Sequence, residues 1–189
     1  MCIYSYSMRR YIVEESPFSH FFLADSRSAV LWLVVRVYVG WLWLEAGWGK
    51  LHNPAWVGDA AGTGITGFVK GALAKTGGAH PDVQSWYAYF LENAVLPNAE
   101  IWGHLIAWGE FLIGIALIAG FLVGISAFLG IFMNLNFMLA GTVSINPIMF
   151  TLGIGLVLAW RIAGHYGLDH FVLTRLYPFI RPKHIIRSG

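Results

Sequence analysis

Two ionisable side chains sit where an apolar chain has least use for them. Arg36 opens the run RVYVGWLWLEAGWGKLH, and Glu110 lies inside GHLIAWGEFLIGIAL. A guanidinium or a carboxylate surrounded by hydrocarbon is expensive, so such groups pair with each other or serve a ligand. The same runs and their flanks carry Glu45, Lys50, His52, His104, Asn134, Asn136 and Asn146. Together these donors and acceptors could hold a polar head group, a quinone ring being one candidate.

Other chemistries find no support. The sequence has no phosphate-cradling glycine loop, no paired-histidine spacing for zinc, no nucleophile elbow and no haem-attachment motif. A haem held by two axial histidines needs both at one depth on facing helices, and only His104 is so placed. The expectation is therefore no haem and no metal, with no catalytic residue that can be named. Cys2, the single cysteine, has no partner for an internal disulfide or a redox pair. A net charge of +2 gives no reason to expect nucleic acid.

The elements that position these groups follow from hydropathy. Of 189 residues 57% are hydrophobic and 12% charged, about half the charge of a soluble domain. The composition is that of an integral membrane protein. A span needs about 20 apolar residues. Residues 28–49 supply one. Residues 101–141 supply twice that length and divide into two helices at AGFLVG, where Gly120 is a helix stop. Residues 147–164 supply a fourth, with Pro147 at its first position. The expected fold is all-α, an antiparallel four-helix transmembrane bundle.

Residues 1–27 carry Arg9, Arg10, Glu14, Glu15, Asp25 and Arg27 and do not have the form of a cleavable signal peptide. Lysine and arginine concentrate at the ends (Arg175, Arg181, Lys183 and Arg187 at the far one) and thin out in the first loop, which has Lys50, Lys70 and Lys75. This predicts a multi-pass protein with both termini cytoplasmic and residues 50–100 outside. Within that insert, TGITGFVKGALAK and PDVQSWYAYFLENAVLP have helical spacing and are expected to lie at the interface as a lid.

At 100° per residue Arg36, Gly40, Trp43, Gly47 and Lys50 form one stripe, with Glu45 on the opposite face. Gly40 and Gly47 on this helix, and Gly114 beside Glu110, are expected to pack helices closely. Counted from the inner helix ends, Arg36 lies roughly 12 Å deep and Glu110 roughly 15 Å deep. The expectation is a buried Arg36–Glu110 pair, which either serves a site or simply fixes helix register. Glu45, His104, Asn134 and Asn136 come out nearer the outside, with Lys50, His52 and Asn146 just beyond. Trp41, Trp43, Trp48, Trp102 and Trp108 ring this layer as interface anchors or stacking partners. His104 could instead be a plain hydrogen-bond donor, and Asn134 and Asn136 point to different faces. Arg161 is expected to snorkel, and the tail RPKHIIR to meet anionic head groups.

The stretches RVYVGWLWLEAGWGKL, GEFLIGIALIAGFLVG, NFMLAGTVSINP and AGHYGLDHFV, in that order, resemble the DoxX/DoxD family of small four-helix membrane proteins. The resemblance covers residues 28–173, between a cytoplasmic segment 1–27 and a basic cytoplasmic tail 174–189. It carries over Arg36, Gly40, Gly47, Lys50, Glu110, Gly114, Asn146, Pro147, Gly167 and Asp169 as motif positions. The family name comes from a subunit of a thiosulfate:quinone oxidoreductase. The resemblance thus implies a plasma-membrane subunit of a quinone-linked oxidoreductase, with the sulfur chemistry on a partner subunit. The alternatives are a non-enzymatic scaffold of a redox-homeostasis complex, possible as a homo-oligomer, or a small-solute transporter. The short helices and lack of a repeat speak against transport.

Overall fold

The computed structural model describes residues 16–172 and 175, and among them every regular element is helical. Helix α1 (Pro17–Ala24) starts on the Ser16 hydroxyl, which accepts from the Phe18 N–H. A 3₁₀ turn, Ser26–Ser28, leads into α2 (Ala29–Leu51). Helices α3 (Thr63–Leu73) and α4 (Ser85–Phe90) are the two segments read in the insert. From α4 the chain stays helical through a π turn (Leu91–Val95) and a 3₁₀ turn (Leu96–Asn98) into α5 (Ala99–Ala119). Helices α6 (Val123–Leu139), α7 (Asn146–Leu158) and the short α8 (Trp160–Ala163) complete the order. The continuous helical stretches Ser26–Leu51 (26 residues) and Ser85–Ala119 (35 residues) are long and apolar enough to cross a bilayer. Helices α6 and α7 are apolar but shorter. The last apolar run is not one helix: Ala159 leaves helical geometry and separates α7 from α8.

Helices α2 and α5 form the central contact. Gly47 lies against the backbone of Phe111, Gly114 against Leu44, and Gly40 against Ile118. Numbers rise on one helix as they fall on the other, so the two are antiparallel. A Cβ at Gly47 or Gly114 would fall inside the opposing backbone, and this close approach fixes the register. The main core combines Val39 and Trp43 of α2, Ile113 and Leu117 of α5, Val123 and Ala127 of α6, and Met149 and Leu156 of α7.

A second core forms where the insert covers one end of these helices. Ile65, Val69, Ala72, Val83, Tyr87, Leu91 and Val95 are buried there with Ala140. Polar ties fasten it: Lys75 Nζ donates to the Gly141 carbonyl at 2.6 Å, and the Tyr87 hydroxyl to the Asn136 carbonyl at 3.0 Å. The site described next lies at this insert end.

A candidate ion-pair site beneath the insert

Glu110 is buried on α5, and its Oε2 accepts a hydrogen bond from Lys50 Nζ at 2.6 Å. Local sequence explains the meeting. Gly47 lets α2 touch the Phe111 backbone, and Lys50 stands about one turn further along the same stripe. The two partners differ in reach, since the Lys50 side chain is 22% exposed and that of Glu110 2%. Lys50 Nζ also lies 5.1 Å from the centre of the Trp56 ring, on the segment between α2 and α3. Trp56 is held by the turn after His52, where Asn53 Oδ1 accepts from the Ala55 N–H and the Ala55 carbonyl accepts from Gly64. An ammonium partly open to water with a carboxylate behind it can donate to a ligand carbonyl and exchange a proton with it.

The expected pair of Arg36 with Glu110 is not formed. Arg36 is equally buried, but Nη2 donates to the Tyr166 carbonyl at 3.0 Å and Nη1 packs against Gly120 and Gly167. Asp169 is the carboxylate whose charge reaches it. The Asp169 oxygens accept from the N–H groups of Leu122 (2.6 Å) and Val123 (2.8 Å), capping α6, while its own N–H donates to Gly120 O. Leu122 is held at φ 47° and Gly120 at φ 69°; the latter lets the Phe121 N–H return to the Ala116 carbonyl. Two donors of Arg36, Nε and Nη1, have no hydrogen-bond partner among the described residues.

The depth estimate failed because the two helices do not end level. With Gly40 opposite Ile118, the first ten or so residues of α2 run past the end of α5, roughly 15 Å of helix. Arg36 therefore sits at the end remote from the insert, roughly 18 Å along the axis from Glu110.

The other expected members of the layer do not converge. Glu45 is exposed on the outer face of α2. His52 is exposed, its Nδ1 at 2.9 Å from the Trp48 carbonyl and its ring 4.2 Å from that of Trp48. His104 Nδ1 lies 2.9 Å from the Glu100 carbonyl of its own helix. Asn146 donates to the Thr142 carbonyl, and Asn136 accepts from Tyr87. Asn134 is buried, and its Oδ1 has no hydrogen-bond partner among the described residues. Each of these polar groups except Asn134 is satisfied locally or faces outward, so helix position, not depth alone, decided the site. Trp41, Trp48 and Trp108 are exposed, whereas Trp43 belongs to the core and Trp102 Nε1 donates to Ala94 O. Trp56, Tyr87 and Tyr166 were missed; Trp56 and Tyr87 signal only as aromatics in an insert read as a lid. No group of three or more His, Cys, Asp or Glu able to hold a metal occurs among the described residues. The tail RPKHIIR lies outside the described residues, as does Cys2.

A family model for DoxX matches residues 31–143. The chain belongs to the DoxX family. The match contains Arg36, Lys50 and Glu110, while Asp169 lies beyond it. With two helices among the described residues long and apolar enough to cross a bilayer, this DoxX chain is a membrane protein. No curated protein and no solved structure matches the chain.

Proposed function

We propose that this DoxX protein is a four-span subunit of a quinone-linked oxidoreductase, with a quinone head group received at Lys50 and Glu110. Helices α2, α5, α6 and α7–α8 would be the spans, with both termini cytoplasmic and the insert outside. The excess of Lys and Arg at the ends supports that orientation. Single cysteines introduced between 60 and 80 should react with an impermeant thiol reagent added outside intact cells. Reaction only after the cytoplasmic side is opened would reverse the orientation.

The observation that carries the functional reading is the asymmetric ion pair. Glu110 is shut away from water, Lys50 is not, and Trp56 lies against the ammonium. A quinone carbonyl would take a hydrogen bond from Lys50. As two electrons from the partner reduce the quinone to quinol, the Lys50 ammonium would give that oxygen a proton and regain one from water, the second proton also coming from water, while the Glu110 carboxylate holds the ammonium in place. The site would work from the outer face of the bilayer, beneath the insert. The sequence has a single cysteine, and no cluster of metal-ligating side chains occurs among the described residues, so a sulfur donor such as thiosulfate would be oxidised on a partner subunit. Protein in lipid nanodiscs should bind a short-chain quinone saturably, read by quenching of tryptophan emission. Linear, unsaturable quenching would leave the pair a helix-register lock and favour a scaffold without redox activity.

A further inference from the structure

Asn134 Oδ1 is a buried amide oxygen without a hydrogen-bond partner among the described residues, on a side chain only 1% exposed. An unbonded polar atom in the interior costs stability that an apolar side chain would not. Packing alone therefore gives no reason for an asparagine at this position.

Its height in the bundle follows from contacts between α6 and its neighbours. A Cβ at Gly130 would stand 3.1 Å from Trp43 Nε1 and 3.6 Å from Ile113 Cγ2, so α6, α2 and α5 meet at that level. One turn nearer the insert, the same three helices carry Asn134, Gly47 and Glu110. A second contact agrees. A Cβ at Gly109 would lie 3.3 Å from Met133 Sδ, and these two residues directly precede Glu110 and Asn134. Gly130, Asn134 and Phe137 form one stripe of α6. That stripe faces α2, since the Phe137 ring lies 6.3 Å from the Trp43 ring. Asn134 thus enters the interior from α6 level with the Glu110 carboxylate, whose Oε2 is already bonded to Lys50.

The chemistry of the groups at this level separates two forms of a ligand. The Lys50 ammonium can only donate, and the Asn134 amide oxygen can only accept. A quinone oxygen that accepts from Lys50 has no hydrogen to offer Asn134. The same oxygen in a quinol carries one, and Asn134 Oδ1 is the acceptor left for it.

We propose that Asn134 is a further binding residue of the Lys50–Glu110 site and recognises the reduced ligand, its Oδ1 accepting a hydrogen bond from the quinol hydroxyl. The head group would enter past Lys50, the partly exposed member of the pair. This role rests on the quinone reading of the site and adds which oxidation state Asn134 favours.

Calorimetric titration of a short-chain quinone, and anaerobically of its quinol, into nanodiscs compares wild type with Asn134→Ala and Asn134→Leu. Both variants should bind quinol about tenfold more weakly and quinone within about threefold of wild type. At least one of them should unfold at or near the wild-type midpoint, because no protein hydrogen bond is removed. Midpoints well below wild type in both would make Asn134 a structural bond and overturn the role. Unchanged quinol affinity, or equal losses for the two forms, would overturn it while leaving the Lys50–Glu110 site standing. A loss confined to quinone would put the amide nitrogen towards the ligand and overturn it as well. Wild type that binds neither form saturably would remove the site and this role together.

Discussion

Replacing Lys50 by Met is expected to destabilise the protein by about 3 kcal/mol or more, because it strands the Glu110 carboxylate away from water. Glu110→Gln should cost less, about 2 kcal/mol, since Lys50 keeps its access to solvent and the amide can still accept a hydrogen bond. In the double variant the uncompensated charge disappears, so the combined loss should fall well short of the sum. Denaturant unfolding in detergent reads all four proteins of the cycle. Arg36→Met combined with Glu110→Gln should instead be additive, as the two residues lie at opposite ends of the α2–α5 contact. Additivity in the Lys50 cycle together with coupling in the Arg36 cycle would reverse the assignment of partners.

The glycines Gly47 and Gly114 of the α2–α5 contact should tolerate no side chain. An Ala at Gly47 or Gly114 would drive its methyl into the opposing backbone, at Phe111 and Leu44 respectively, and no side-chain rotation relieves that. Each substitution is expected to cost about 3 kcal/mol or more, the upper range for overpacking. Gly49, two residues from Gly47 on the same helix, has open space where its Cβ would stand. Gly49→Ala should be neutral or stabilising by up to about 1 kcal/mol, from helix propensity alone. Thermal unfolding of the three variants checks the contrast, and equal behaviour of Gly47→Ala and Gly49→Ala would contradict the close approach.

Much of the architecture is written in local sequence. The apolar runs and Gly120 as the stop placed α5 to within a few residues, and Pro147 placed the start of α7, though not its break at Ala159. The stripe Arg36–Gly40–Trp43–Gly47–Lys50 correctly gave the face of α2 that is turned inward, and Glu45 the face turned out. What local sequence does not contain is the offset between helices. Arg36 and Glu110 looked level because the inner ends of their helices were taken as a common origin, and α2 in fact overshoots α5. Nothing in either segment alone encodes that overshoot; it follows from which glycine meets which backbone. Once the register is set by Gly47 against Phe111, Lys50 is the cation at the height of Glu110. The Arg36 surroundings were illegible for a related reason. Tyr166 offers a backbone carbonyl, which every residue has, and Asp169 reaches the turn after α5 only because the chain folds back beyond α8.

The most direct test of the site is quinone affinity in the double variant Lys50→Met/Glu110→Gln. That protein should unfold near the wild-type midpoint, since neither charge is left alone, yet it lacks both groups proposed to meet the head group. Titration of a short-chain quinone into nanodiscs holding the double variant is predicted to show binding weakened by at least about tenfold. Wild-type affinity in a folded double variant would contradict the account.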